Sequence, residues 1–439
     1  MDPKIDRYLR TDEDRANLFN RLVTEIGRHI VAEIEPRKFL DHFLPRKKGG
    51  KSTREPLQDF LRDMKSFGNV LSEKEEQWYA PFVSSDPHRP PFCLNLLYLQ
   101  VTIVSKYLPT LHIVNTSSKA TDRRLKPDLM VYEKTENCFG SPDLDISRAD
   151  FIIEMKREGD PFVYSNDRFG NSGASAQNLG QLTAYATGVL STQYRTHTFS
   201  VLIIKDRARL IRWDRGGAVV TTSIPYLRAS GLFDFFNCYN DADRQVRGHD
   251  STVSPASEQD IRLAQKIPEL QNATSLLTIT IPDRQSKPVQ YIISSPGLQL
   301  DVPVGRWTQA SIALEARSGK RVLVKDSWRI VHDDIKPEGE LYDRLHDKGV
   351  RNIPSILAHG DIGINDHHKS QTEKYIKELI RNGHRDTIKI KSDSSFTTFR
   401  HYQIVLGTVG RSLEAFKSTR ELVCAIRAAL EGEMSIFLW

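Results

Sequence analysis

The 439-residue sequence predicts an α+β protein: a mixed-sheet domain with flanking helices, followed by a second, antiparallel sheet with its own helix. Three observations carry this. Short β-rich runs bounded by turn residues occur at 111–115, 128–133 and 151–157. A helical pattern at 174–190 separates them from three more strand-like runs. A polar stretch at 241–259, with Gly248 and Pro255 and no Phe, Trp or Tyr, reads as a linker before a second strand-rich region.

The expected division is a helical region at 1–70, a mixed-sheet domain at 71–236, a linker at 237–270 and a second domain at 271–439. In the first region Leu18, Leu22, Ile26 and Ile30 recur near helical spacing, and Phe39, Phe43, Leu57 and Leu61 continue the pattern. Ser72-Glu-Lys-Glu75 has the form of a capping box, Pro87, Pro90 and Pro91 end that helix, and 93–107 reads as a buried helix. Gln177, Gln181 and Tyr185 follow at four-residue steps on one face of the 174–190 helix. Strands are expected at 197–205, 207–214 and 218–223, with Asp214-Arg-Gly-Gly217 as a hairpin turn. In the second domain the strands fall near 276, at 291–294, 309–316, 321–326 and 401–406, with helices at 338–348 and 418–433. The charged segment 362–393 reads in part as a surface insertion.

Composition bounds the function. Hydrophobic residues at 39% and charged residues at 27% are ordinary for a globular protein, and the net charge of +6 permits contact with phosphate without requiring it. Cys93, Cys138, Cys238 and Cys424 show no CxxC spacing, which argues against a disulfide framework or a zinc site. No apolar run approaches the ~18 residues of a membrane span and the N-terminus lacks an apolar signal region, so an intracellular location, cytoplasmic or nuclear, is expected with no membrane partner. Lys47 and Lys48 form a weak nuclear signal or an ordinary solvated loop.

Two places carry chemistry. In Phe151-Ile-Ile-Glu-Met-Lys-Arg-Glu158, strand alternation puts Glu154 and Lys156 on one face and Ile153 and Met155 on the other. A carboxylate and an ammonium at the end of a buried strand are costly unless paired or used. Pro127-Asp128 opens the preceding strand, and a second carboxylate beside Glu154 makes a site of the kind Mg²⁺ prefers. The order of elements, with Pro127-Asp128, Glu154-Met155-Lys156 and the Gln181-Leu-Thr-Ala-Tyr185 helix, resembles the PD-(D/E)xK nuclease-like fold. The resemblance implies that Asp128 and Glu154 hold Mg²⁺, that Lys156 activates water, and that Gln181 belongs to the catalytic set. It implies a further ligand at Glu75 or Glu76 and a nucleic-acid partner; Arg123, Arg124 and Lys126 beside the site either meet a phosphate backbone or form an ordinary solvated loop. The bland alternative is a surface strand pair whose charges face water or one another.

The second place is Arg321-Val-Leu-Val-Lys-Asp-Ser-Trp-Arg329, with Glu340 fifteen positions after Lys325. Taken alone this is an ordinary strand-to-helix salt bridge. The wording of Val324–Arg329, Glu340-Leu-Tyr-Asp, Gly410-Arg-Ser-Leu-Glu-Ala-Phe416 and Arg420-Glu-Leu-Val423 resembles the fungal-type protein kinase family, as do several phrases upstream. The resemblance implies a kinase-like N-lobe in which Lys325 meets the phosphates of ATP and Glu340 forms the lysine's ion pair, Glu338 being less suited at the helix start. Gly297 and Gly305 stand too far apart for a glycine-rich phosphate loop. His384-Arg-Asp386 precedes the 401–406 strand and lacks a downstream Asn, and no Asp-Phe-Gly follows the 418–433 helix before Trp439. The expectation is therefore an incomplete kinase domain without phosphotransferase activity that binds ATP weakly. A Mg²⁺-dependent nuclease and a non-catalytic scaffold are the alternatives.

Overall fold

The computed structural model describes residues 11–46, 54–68, 71, 107–117, 125–134, 145–273, 275–299, 301–363, 366–410 and 413–437. The chain forms two compact units. The first comprises Met1–Asp250 together with Gly297–Gly305 and Ser370–Thr398, and the second takes Ser251–Pro296, Arg306–Lys369 and Phe399–Trp439.

In the first unit, helix α1 (Asp12–Ile26) starts at Thr11 in a capping box with Asp14. After a short 3-10 turn the chain enters strand β1 (Ile30–Ile34), then helices α2 (Pro36–Phe43) and α3 (Arg54–Gly68). Strands β2 (Leu111–Asn115), β3 (Leu129–Glu133) and β4 (Phe151–Lys156) form an antiparallel meander. Helix α4 (Gly173–Thr192), capped by Ser172, crosses over to β5 (His197–Ile204), which runs parallel to β4. Then come β6 (Arg207–Asp214), β7 (Gly217–Thr221) and helix α5 (Gly231–Asp241). The sheet order is β1-β7-β6-β5-β4-β3-β2, with β1 parallel to β7.

Alternation along the strands feeds two cores. One face contributes Leu129, Val131, Ile153, Met155, Val201 and Leu210, packed with the aromatic residues of α2, α3 and α5. The other contributes Met130, Ile152 and Trp213 beneath α1 and α4. Gly180 permits that second layer, because a Cβ there would lie 2.5 Å from the Cβ of Phe19 on α1.

The expected helical region changes here. Residues 1–70 are not all helical, because Ile30 belongs to β1 and gains a partner, β7, nearly two hundred residues away. The segment 362–393, expected to be in part a surface insertion, contributes one helix to a core. Its helix Thr372–Arg381 buries Tyr375, Ile376 and Leu379 in the core of the first unit. Asp214, at the expected hairpin turn, fixes the start of that helix: its carboxylate accepts hydrogen bonds from the amides of Gln371 (2.7 Å) and Thr372 (3.3 Å) and from the Thr372 hydroxyl (2.8 Å). A buried carboxylate at a helix N-terminus satisfies donors that have no intrahelical partner.

The stretch 237–270 is not a linker either. Cys238 and Tyr239 are buried in α5, and the amides of Thr196 and Asp250 bond to Gly248 and Tyr194. Asp150 holds this segment through Arg195 and His249, each 2.8 Å away. Burial opposes ionisation of Asp150, but the His249 hydrogen bond and the Arg195 charge outweigh it and keep its carboxyl well below the usual range. Burial and Arg195 push His249 down to about 4, so its imidazole is neutral at pH 7.

The second unit is an antiparallel sheet of order β13-β14-β12-β11-β10-β9-β8. Its strands are β8 (Val253–Pro255), β9 (Leu276–Pro282), β10 (Pro288–Ser294), β11 (Thr308–Glu315), β12 (Arg321–Ile330), β13 (Ile356–Asp361) and β14 (Phe399–Leu406). Helices α6 (Glu258–Ala264) and α7 (Pro268–Gln271) precede β9, α8 (Glu338–Asp347) lies between β12 and β13, and α9 (Thr419–Phe437) follows β14. No described helix is long and apolar enough to cross a membrane.

Candidate functional site

Each unit carries one group of the sequence-predicted residues. In the first, β3 and β4 pair with Leu129 opposite Ile153, so Asp128 and Glu154 face each other one step further along. The amide of Asp128 donates to Glu154 Oε2 at 3.1 Å, and the amide of Met155 donates to Asp128 Oδ2 at 2.8 Å. Lys156 Nζ sits 2.6 Å from Glu154 Oε1 and 3.9 Å from Asp128 Oδ2. The carboxylate of Glu154 is fully buried and the other two side chains mostly so, and the three charges face one another rather than water.

Gln181 and Tyr185 of α4 complete the surroundings. The Gln181 amide donates to the Tyr185 hydroxyl at 2.7 Å, which in turn donates to the Lys126 carbonyl at 2.6 Å beside Asp128. Gln177, one turn earlier, is exposed and takes no part. Burial, followed by the Asp128 charge, raises the pKa of Glu154 well above the carboxylate range, with Lys156 opposing. Burial pushes the Tyr185 hydroxyl well up also. Asp128 and Glu154 are the two groups of the cluster that could hold a divalent cation, whose charge would favour ionisation of Glu154 against its burial. Glu75, Glu76, Arg123 and Arg124 lie outside the described residues.

In the second unit, Lys325, Ser327 and Arg329 project from one face of β12, opposite Ile404, Tyr402 and Arg400 of β14. Lys325 Nζ reaches both carboxylate oxygens of Glu338, each at 2.7 Å. The expected partner, Glu340, is exposed and makes no ion pair with it. The reason is the docking of α8. Gly339 packs so closely on His359 of β13 that a Cβ there would lie 2.1 Å from the ring, and its amide donates to the Tyr402 hydroxyl at 3.0 Å. Residues two apart point about 200° apart around a helix, so seating Gly339 on the sheet turns Glu338 toward Lys325 and Glu340 away.

The ion pair borders a cavity of about 600 Å³. Ile330, Ile335 and Leu341 form an apolar wall, and Arg306, Arg329, Lys336 and Arg344 surround the rest. Sequence reasoning missed these four cations, which come from separate elements and share no spacing. His384-Arg-Asp386 lies in the first unit, after the Thr372–Arg381 helix, with His384 Nε2 3.0 Å from Lys38 Nζ. Gly297 and Gly305 also belong to the first unit, where the Gly305 amide bonds to the Arg215 carbonyl.

The family model described as fungal protein kinase matches residues 166–438, well over half of the chain. The chain belongs to the fungal protein kinase family. Gln181, Lys325, Glu338 and Glu340 fall inside the family match, whereas Asp128, Glu154 and Lys156 precede it. No curated protein matches this chain, and no solved structure does.

Proposed function

We propose that the second unit binds a nucleoside triphosphate at Lys325 and Glu338, and that the residues of this chain do not themselves transfer its phosphate. The observation that carries the reading is the doubly bonded Lys325–Glu338 pair at the edge of a cavity with one apolar wall and a cationic remainder. Such a pair holds a lysine in place to meet phosphate oxygens, and family membership supports the assignment. Phosphoryl transfer also needs a base and a carboxylate anchor for Mg²⁺. Among the described residues, the one carboxylate lining this cavity, Glu338, has both oxygens on Lys325. Thermal unfolding tests the reading. ATP at about ten times its Kd should stabilise the wild-type chain by about 1.4 kcal/mol, a rise of a few degrees in Tm. Lys325→Met should abolish that rise, and a wild type indifferent to ATP removes the reading.

A second reading rests on the convergence of Asp128, Glu154 and Lys156, and its chemistry is metal-dependent phosphodiester hydrolysis. Bound Mg²⁺ would supply a Lewis acid that lowers the pKa of an attacking water. Asp128 and Glu154 would hold it, and Lys156 would orient that water and stabilise charge developing on the phosphate. Nicking of supercoiled DNA in Mg²⁺, and cleavage of RNA, should fall to background in Glu154→Ala and Lys156→Ala. Wild-type activity no higher than that of these variants on any nucleic acid ends this reading. Failure of both tests leaves a scaffold.

A further inference from the structure

We infer that the cavity beside Lys325 takes its polyphosphate ligand as the free anion, without a divalent cation. The inference rests on the nucleotide reading above and narrows it to one ionic form. Among the described residues five cations line the cavity (Arg306, Lys325, Arg329, Lys336 and Arg344) against a single carboxylate, Glu338. Two of the five are already matched: Lys325 by Glu338, and Arg329 by Asp361 through bonds of 2.6 and 2.7 Å. Arg306, Lys336 and Arg344 are exposed at its rim and form no ion pair among the described residues.

Mg²⁺ needs oxygen donors, above all carboxylates, and keeps several waters when it binds beside phosphate. Here both oxygens of Glu338 face Lys325, and the neighbouring Asp361 is shared between Arg329 and Arg400. Among the described residues no carboxylate of the cavity is left to hold the metal. A cation brought in with the phosphates would also sit among three uncompensated positive charges, where like charges repel. A bare triphosphate meets the opposite situation. Its oxygens can accept the planar forks of Arg306 and Arg344 and the ammonium of Lys336, giving the neutralisation that Mg²⁺ provides elsewhere. The apolar wall of Ile330, Ile335 and Leu341 then remains for the base.

Calorimetric titration of the full chain with ATP, once in EDTA and once in excess Mg²⁺, tests this. The affinity in EDTA should exceed that in Mg²⁺ several-fold. The double variant Arg306→Ala/Arg344→Ala, altered at exposed positions, should bind at least tenfold more weakly in EDTA and lose the difference between the buffers. Binding as tight or tighter in Mg²⁺ overturns the inference and leaves the nucleotide reading intact. Binding in neither buffer overturns both.

Discussion

Replacing Lys156 by methionine is expected to destabilise the first unit by about 3 kcal/mol, read as a lower urea midpoint at unchanged slope. The side chain of Lys156 is mostly buried and lies between two carboxylates, one of them fully buried. Methionine fills a similar volume, so the loss isolates charge rather than packing. Without the ammonium, Asp128 and Glu154 face each other across paired strands, and one of them must take up a proton or remain as an uncompensated buried charge. Glu154 is the group that yields, since burial already raises its pKa. The double variant Glu154→Gln/Lys156→Met should recover most of the loss, giving a coupling energy of about 2 kcal/mol in the double-mutant cycle. A Lys156→Met protein as stable as wild type would show that the cluster is not energetically joined. Addition of Mg²⁺ gives an independent reading, because stabilisation by the metal should vanish in Asp128→Asn.

Gly339→Ala is expected to cost the second unit about 3 kcal/mol and to remove its response to ATP. Helix propensity alone argues the other way, since alanine in a helix interior gains about 1 kcal/mol over glycine. Contact decides the sign. The new methyl would lie 2.1 Å from Cγ and 2.5 Å from Cβ of His359. That ring cannot swing aside cheaply, being held by the Tyr402 hydroxyl at 2.9 Å and by Asp343 at 2.8 Å. The helix must lift instead, taking Glu338 from Lys325. Glu340→Ala, one position further along and exposed, should change stability by less than about 0.5 kcal/mol and leave the ATP response intact. A Gly339→Ala protein with wild-type stability and ATP response would mean that α8 is not positioned by this contact.

Local pattern made much of this protein legible. Period-two alternation in Phe151–Lys156, the expected helix around Gln181 and Tyr185, and the Asp214–Gly217 turn all stand in the structure at or near their expected bounds. These features are decided by neighbours in sequence, through side-chain direction and turn geometry. What failed was non-local. The parallel pairing of β1 with β7 gives no signal in Ile30–Ile34, whose spacing also continues a helical pattern. The apolar residues of Thr372–Arg381 announce a buried face without saying what covers it, and the capping carboxylate of Asp214 comes from far along the chain.

The candidate sites divide in the same way. Sequence alone singled out Asp128, Glu154 and Lys156, because charged residues at the end of an apolar strand conflict with burial unless they meet. It also singled out Lys325 and a glutamate in the following helix. Which glutamate depends on the rotation of α8, and that is set by a single close contact between Gly339 and His359. The cations around that cavity were equally beyond reach, since Arg306, Lys336 and Arg344 stand on separate segments and acquire a common purpose only once the sheet and helix bring them together. Residue types and local periods thus determined which side chains could do chemistry. Tertiary packing decided which of them meet, because that choice rests on long-range contacts and on a fit judged in fractions of an ångström.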